Sequence, residues 1–322
     1  MSGTILVVAR GWNIEPWVSR LAAALPGHRI IAGDKEGEYP GPDSELAEVD
    51  YLLAWKPSAT ILGRLPNLKL VSSFGAGVDH LFVSGALPDV AIVRIVDPDL
   101  TARMSEYVAW QCLHHLRRGF EYRRQQTARI WDDLPQPAAR ELTVGVMGLG
   151  VLGADATGVL RRLGFDVRGW SRTPKALDGV RCFDGADGLD AFLSGTDILV
   201  VLVPLTKDTR GLVDKALLKK LRRDGALGGP VLINAARGGV HVEADLVEAL
   251  ADGTLIGASL DVFEKEPLPS ESPLWGCDNL VITPHVAAVS DPVALSGQLA
   301  AQIRAFERGE PLRNRVDRSR GY

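Results

Sequence analysis

The sequence predicts an α/β protein made of two doubly wound parallel-sheet domains, and three observations carry that expectation. Short apolar runs of strand length alternate with helix-length segments along most of the chain. One such run, Leu142 to Met147, leads straight into Gly148-Leu149-Gly150-Val151-Leu152-Gly153, then into an Ala/Leu-rich segment ending at Gly164 and a second run, Phe165 to Trp170. The chain has 322 residues, too long for one typical domain and suited to two.

Taken in order, Thr4 to Ala9 reads as a buried strand and Glu15 to Leu25 as an amphipathic helix with Pro16 in its first turn. Apolar runs at Tyr51–Ala54, Leu70–Phe74 and Ala91–Val96 follow, separated by polar, Gly/Pro-containing connections, and give a first, smaller α/β domain with a parallel sheet. Leu100 to Arg118 reads as one long helix with an apolar face through Met104, Val108, Cys112 and Leu116, carrying the chain from the first domain into the second. Gly119 to Arg140 is polar and contains proline, with Trp131 isolated within it. Strands are expected at 142–147, 166–170, 197–203, 231–234, 256–261 and 280–282, six parallel strands of a Rossmann-type domain around the glycine turn. A last helix, roughly Pro292 to Arg308, is too short for a domain and is expected to return and pack on the first one. No internal repeat or low-complexity segment interrupts this order.

The glycine turn sits in the β–turn–α–β context that makes a G-x-G-x-x-G fingerprint meaningful. Gly148 permits the tight turn, Gly150 lets the backbone approach a pyrophosphate, and Gly153 lets the helix pack closely on the strand. The helix N-terminus then offers unpaired N–H groups and the positive end of its dipole. The end of the second strand speaks to which dinucleotide binds. An NAD-type site usually carries Asp or Glu there, about 20 residues after the glycines, to hold the ribose 2′-hydroxyl. Here the position falls on Ser171, followed by Arg172, Thr173 and Lys175. No carboxylate stands there to repel a 2′-phosphate, and a guanidinium, a hydroxyl and an ammonium can bind one, which favours NADPH over NADH.

Bulk properties exclude several other classes. With 46% hydrophobic and 24% charged residues the composition is that of an ordinary globular protein. A net charge of -4 argues against general nucleic-acid or anionic-membrane binding, and the basic tail, Arg313, Arg315, Arg318 and Arg320, reads as a solvated terminus. Cys112, Cys182 and Cys277 are widely spaced and form no C-x-x-C pair, so neither a disulfide framework nor a metal site is indicated. The first ten residues lack a basic n-region, and no apolar run reaches the roughly 18 residues of a membrane span. The expected location is the cytoplasm.

Of six histidines, His285 is placed differently from the rest. It follows the strand run Leu280–Thr283 at Pro284, at the carboxyl edge of the sheet where doubly wound folds bind ligands. An imidazole there can give or take a proton near neutral pH. Leu232 to Gly239 is a strand ending in Arg237 and two glycines, and a guanidinium at that edge can hold a carboxylate bidentately. Ser259 to Pro267 ends another strand with Asp261, Glu264 and Glu266, and a carboxylate within reach of His285 would stabilise its protonated form. Glu264 and Glu266 read equally well as an exposed acidic loop. Phe74-Gly75-Ala76-Gly77-Val78-Asp79-His80 is a second glycine turn after a strand, but His80 stands where a third glycine would be, and its N–H groups suit a simple anion.

These segments, VGVMGLGVLG, INAARGGV, LDVFEKEP and ITPHVAA, stand in an order and at a spacing that resemble the D-isomer-specific 2-hydroxyacid dehydrogenase family, most of all its glyoxylate/hydroxypyruvate reductase branch, over essentially the whole chain. The resemblance implies that Arg237 orients the substrate carboxylate and carbonyl, that His285 is the general acid, and that Glu266, immediately before proline, pairs with it. Asp261 would contact the nicotinamide carboxamide. Further cofactor contacts would come from Gly148, Gly150, Val151, Leu152 and Gly153, from Ser171, Arg172, Thr173 and Lys175, and from Val203, Pro204, Ala235 and Ala236. Ala76, Gly77 and Val78 would cradle the substrate carboxylate. Trp55 and Lys56 resemble a substrate-loop aromatic and its neighbour, although Trp55 reads equally as a hydrophobic lid or core residue.

The implied architecture is discontinuous. Residues 1–97 and 287–322 would form a flavodoxin-like substrate domain and residues 98–286 a Rossmann cofactor domain, with the active site in the cleft between them. A homodimer would form through the long helix and the 119–140 arm, with Trp131 reaching the neighbouring site. The expected reaction is NADPH-preferring reduction of a small 2-oxo acid, glyoxylate or hydroxypyruvate, to the 2-hydroxy acid, with NADH possible and no metal, nucleic acid or membrane involved. Two alternatives are a D-lactate-type or broader 2-ketoacid reductase using NADH, and a dinucleotide-sensing binding module.

Overall fold

The computed structural model describes residues 3–82 and 87–322. The chain divides into two compact units, one running to Leu100 and resuming at Ser290, the other spanning Thr101–Val289.

The first unit is built on β1 (Thr4–Ala9), β2 (Arg29–Ala32), β3 (Val49–Trp55), β4 (Leu70–Ser73) and β5 (Ala91–Val93). They pair in the order β2-β1-β3-β4-β5, every pair parallel, which is the flavodoxin-like order. A parallel sheet needs both faces covered, and the central strand shows it: Ile5 to Ala9 of β1 are all fully buried. The helices Glu15–Ala24 and Pro292–Glu307 pack on each other within this unit. They turn Trp17 and Leu21, and Leu295, Leu299 and Ile303, inward. Pro292 occupies the first turn of its helix, where a missing N–H costs nothing, and the Asp291 side chain accepts from Val293 N at 2.7 Å. β2 was not expected from the sequence; only Ile31 of its four residues is buried, so it lacks the apolar run that marks a central strand.

The second unit contains β6 (Thr143–Met147), β7 (Asp166–Ser171), β8 (Arg181–Asp184), β9 (Ile198–Val201), β10 (Val231–Asn234), β11 (Gly257–Leu260) and β12 (Leu280–Ile282). Their order is β12-β11-β10-β9-β6-β7-β8, all pairs parallel, a Rossmann arrangement with one further strand. The sheet therefore has seven strands, not the six expected. The extra strand, β8, lies at the sheet edge with no buried residue, and so carries no hydrophobic signature. A second correction concerns 119–140, whose first half is a helix, Gly119–Ala128. It has no buried residue, so amphipathic periodicity had nothing to report.

Helix Pro98–Leu116 lays Met104, Val108, Cys112 and Leu116 against Val144, Val146 and Ile233 of the sheet. Each such buried aliphatic side chain contributes about 1.5–3 kcal/mol. Ser105 Oγ donates to Asp155 Oδ2 at 2.5 Å, tying this helix to the helix Val151–Arg162. Among the described residues, no helix is long and apolar enough to cross a membrane.

Candidate active site

Because all seven strands of the second unit run in parallel, their carboxyl ends lie along one edge, and the predicted residues of this unit follow those ends. The turn after β6 has three glycines in three distinct situations. Gly148 has φ +111°, and a Cβ there would lie 2.7 Å from the Leu202 carbonyl carbon, so both conformation and space demand glycine. A Cβ on Gly153 would stand 1.9 Å from the Gly148 oxygen, which is how closely the helix Val151–Arg162 approaches the turn. A Cβ on Gly150 would meet nothing within 4 Å. Gly150 also caps the helix without a side-chain hydrogen bond, so the helix N-terminus opens onto clear space.

Beside this turn, Val203 is buried and Pro204 exposed in the loop after β9. β7 ends at Ser171, which is buried and donates through Oγ to the Thr173 oxygen at 2.7 Å, tightening the turn. Arg172, Thr173 and Lys175 are exposed on it. Arg172 Nη1 stands 3.9 Å from Asp208 Oδ2, a carboxylate that the sequence reading did not consider. After β10, Ala235 and Ala236 are buried and Arg237 is partly exposed, with its Nη1 donating to the Ala236 oxygen at 2.8 Å.

His285 follows β12. Its Nδ1 lies 2.9 Å from Glu266 Oε2 and 3.1 Å from Oε1, so the ring nitrogen meets the whole carboxylate. Phe263 N also donates to Glu266 Oε1, at 3.2 Å, and fixes the carboxylate on its loop. Both side chains are about three-quarters buried, with 28% and 20% exposure for His285 and Glu266. Glu264 is placed elsewhere: its carboxylate accepts from Glu243 N at 3.2 Å, and its own N–H donates to Glu243 Oε1 at 2.8 Å, closing the start of the helix Glu243–Ala251.

The His285 backbone has φ +57°, a left-handed conformation that costs a non-glycine residue about 1–3 kcal/mol. Asp261 holds it. Its carbonyl accepts from His285 N at 2.8 Å, while Oδ1 accepts from Val286 N at 2.8 Å and Oδ2 from Ala287 N at 2.9 Å. Thr283 Oγ1 donates to the same Oδ1 at 2.7 Å, and Tyr107 OH in turn donates to Thr283 Oγ1 at 2.9 Å. Asp261 is 1% exposed, and burial pushes its carboxyl group up against the opposing pull of these donors. Burial likewise raises the Tyr107 phenol. This clamp on the 283–287 turn was not read from the sequence, where Asp261 figured as one of three strand-end acids and as a cofactor contact, Thr283 only as part of the ITPHVAA segment, and Tyr107 in no motif.

In the first unit, the turn after β4 is pinned by Ser73, whose Oγ accepts from Gly75 N at 3.1 Å and donates to the Gly77 oxygen at 3.0 Å. Among the described residues, the amides of Ala76, Gly77 and Val78 donate to no backbone oxygen. Trp55 ends β3 and lies so close to Gly75 that a Cβ there would be 2.5 Å from its ring. Trp55 belongs to an aromatic stack, with Trp12 on it at 5.7 Å and His80 beside it at 4.9 Å between ring centroids. Lys56, with φ +47°, brings Nζ to 5.7 Å from the Trp55 ring centre. Trp55 is thus a partly exposed wall beside the turn. Trp12 and Ser73 are functional candidates that the sequence reading missed, because neither belongs to a motif and Trp12 is distant from Trp55 along the chain.

Comparisons with known proteins bear on the family and the fold. A family model for the NAD-binding domain of D-isomer-specific 2-hydroxyacid dehydrogenases matches residues 109–287. A glyoxylate/hydroxypyruvate reductase A of Klebsiella pneumoniae (strain 342) is 41% identical over 313 residues, covering 95% of this chain and 96% of that protein. Among solved structures, an NADPH-dependent glyoxylate/hydroxypyruvate reductase from Sinorhizobium meliloti in complex with NADP and sulfate is 48% identical and superposes with a TM-score of 0.93, each chain covered in full. A probable 2-hydroxyacid dehydrogenase from Rhizobium etli, in complex with NADP, HEPES and L(+)-tartaric acid, is 50% identical with a TM-score of 0.89, again over both whole chains. The chain belongs to the D-isomer-specific 2-hydroxyacid dehydrogenase family, in its glyoxylate/hydroxypyruvate reductase branch.

Proposed function

We propose that this protein reduces a small 2-oxo acid, glyoxylate or hydroxypyruvate, to the corresponding 2-hydroxy acid with NADPH. The observation that carries the reading is the His285–Glu266 pair, 2.9 Å apart on the same sheet edge as Arg237 and the glycine turn. The residues present fit a dinucleotide: the space in front of Gly150 is clear, the helix behind it opens its N-terminus, and the strand-end position carries Ser171 and Arg172 rather than an acid. The NADP-bound structures of the Sinorhizobium and Rhizobium relatives support the same cofactor here. When bound, the nicotinamide supplies the hydride for the carbonyl carbon.

The chain's own residues do the rest. Glu266 accepts from His285 Nδ1–H, which sets the ring orientation and leaves Nε2 to donate the proton to the carbonyl oxygen. Arg237 takes the carboxylate bidentately and stabilises negative charge growing on that oxygen. Asp261 holds the turn that carries His285, and its side chain is assigned this role in addition to any contact with the carboxamide. In the first unit, the Ala76, Gly77 and Val78 amides suit a carboxylate, and Trp55 with Lys56 borders them.

We further assign the protein to the cytoplasm as a homodimer assembled through the cofactor domain. Trp131 is fully exposed and Ile130 and Trp110 are each more than half exposed, apolar surface that one chain alone leaves in water.

The test is a set of initial rates with glyoxylate and hydroxypyruvate, each with NADPH and with NADH, following loss of reduced-nicotinamide absorbance. NADPH-dependent turnover of either acid, at least about tenfold above the NADH rate, is the expected result. An NADH preference would overturn the Ser171/Arg172 argument and keep the chemistry; no turnover with either acid would overturn the substrate class.

A further inference from the structure

Behind Arg237 lies a pair of polar side chains to which no catalytic role has been given. Asn234 is the last residue of β10 and is fully buried; His241 follows the Arg237 turn and is 1% exposed. Asn234 Oδ1 accepts from Ala236 N at 2.9 Å, and its Nδ2 donates to the Arg237 oxygen at 3.1 Å. These two backbone partners settle which end of the carboxamide is oxygen and which is nitrogen, because an amide N–H cannot accept and a carbonyl cannot donate. The remaining Nδ2 hydrogen points at His241 Nδ1, 2.7 Å away. That nitrogen must present its lone pair, so the ring is neutral and its one proton sits on Nε2. Nε2 is buried and finds no partner among the described residues.

The arrangement has a direction. Asn234 grips the chain on either side of the Ala236–Arg237 peptide and so fixes the backbone from which the guanidinium departs. His241 completes the hydrogen bonding of Nδ2 and locks the carboxamide in that one orientation. A leucine in its place would remove the unpaired Nε2–H but leave the Asn234 Nδ2 hydrogen without its acceptor. The count of unpaired buried donors is the same either way, so stability alone gives little reason for an imidazole here. What the imidazole offers that leucine lacks is the acceptor for Asn234.

We propose that Asn234 and His241 form a positioning pair for Arg237, and that His241 acts on catalysis only through the orientation of Asn234 and the turn it holds. This rests on the assignment of Arg237 to substrate binding. Misplacement of a binding group by a fraction of an ångström to one ångström costs on the order of 10- to 100-fold in rate. His241→Leu should therefore lower kcat/KM for the 2-oxo acid about tenfold or more. The NADPH affinity and the melting temperature should stay close to those of the parent. His241→Asn, whose carboxamide oxygen can take the place of Nδ1, should recover most of the loss.

The experiment combines steady-state kinetics of His241→Leu, His241→Asn, Arg237→Ala and the Arg237→Ala/His241→Leu double variant with 15N NMR of the histidines in the parent enzyme. The expected results are an unprotonated Nδ1 at His241, a loss in His241→Leu confined to the oxo acid, and no further loss when His241→Leu is added to Arg237→Ala. A proton on Nδ1 overturns the pair without any variant having to fold. Unchanged kcat/KM in His241→Leu, or a loss that adds in full to that of Arg237→Ala, overturns the positioning role while leaving Arg237 in place. Unchanged activity in Arg237→Ala overturns the substrate-binding assignment itself, and the pair's role falls with it.

Discussion

At the scale of single residues, the chemistry depends on where charge and protons are held. Glu266 meets His285 Nδ1 with both oxygens and is anchored by Phe263 N, so its contribution is charge and orientation together. Glu266→Gln keeps an acceptor for the ring and removes the charge; kcat is expected to fall about 10²-fold or more, with the NADPH KM little changed, in steady-state assays. An undiminished kcat would remove Glu266 from the proton-transfer machinery. Arg172 is exposed on the turn that Ser171 tightens. A charge-assisted contact to a 2′-phosphate is worth about 1.5–3 kcal/mol, so Arg172→Ala should raise the NADPH KM roughly 10- to 100-fold. The NADH KM should move about twofold at most, since that cofactor has no phosphate for the guanidinium to hold. Equal effects on the two cofactors would show that Arg172 does not distinguish them.

At the scale of elements, close packing is what makes the glycine turn work. Gly153→Ala places a methyl carbon, fixed directly to the helix backbone, against the Gly148 backbone oxygen, and neither can step aside without moving the turn or the helix. The expected cost is about 1–3 kcal/mol of stability together with a loss of NADPH affinity, read by thermal melting and by nucleotide titration. Parental melting and binding would mean that the turn is looser than its geometry. This turn was legible in the sequence because a strand, three spaced glycines and a helix are all local patterns. So were the buried strands β1, β6, β9 and β10, whose apolar runs need no partner to be recognised. The edge strands β2 and β8 were not, because few or none of their residues are buried and pairing with a neighbour is what makes them strands. The helix Gly119–Ala128 escaped notice for a related reason, having no buried face. In the site, Arg237, Glu266 and His285 stood out as chemical types at strand ends. The residues that hold Arg237 and His285 did not: Thr283 and Tyr107 act through hydrogen bonds to partners that only the folded chain brings near, and Asn234 through a carboxamide orientation that the fold imposes.

At the scale of the whole molecule, two parallel sheets must be covered on both faces, and the coverage buries histidines other than His285. Burial pushes His241 down to about 4 and His115 down to about 3, the latter helped by its neighbour His114. His115 Nε2–H donates to Ser259 Oγ at 2.9 Å, and that hydroxyl donates on to Gln111 Oε1 at 2.8 Å, while burial is what disfavours a second proton on the ring. Both groups bind protons more readily in the unfolded chain than in the folded one. The stability they leave intact is therefore fully present above about pH 6.5, and it is lost as the pH falls toward 4 for His241 and 3 for His115. Each contributes a slope of up to ~1.4 kcal/mol per pH unit within its window. Denaturant melts of the parent between pH 7 and pH 4.5 should show this loss, and His241→Leu should have a shallower dependence. A stability independent of pH over that range would mean that these imidazoles are protonated inside the fold.

The most direct measurement on the proposed chemistry is the turnover of His285→Ala with NADPH and glyoxylate, set beside its affinity for NADPH. The expected result is a loss of at least about 10²-fold in kcat with nucleotide binding unchanged, because the alanine variant keeps the glycine turn and removes the group that delivers the proton. Turnover at the parental rate would contradict it, and the proton would have to come from elsewhere than His285.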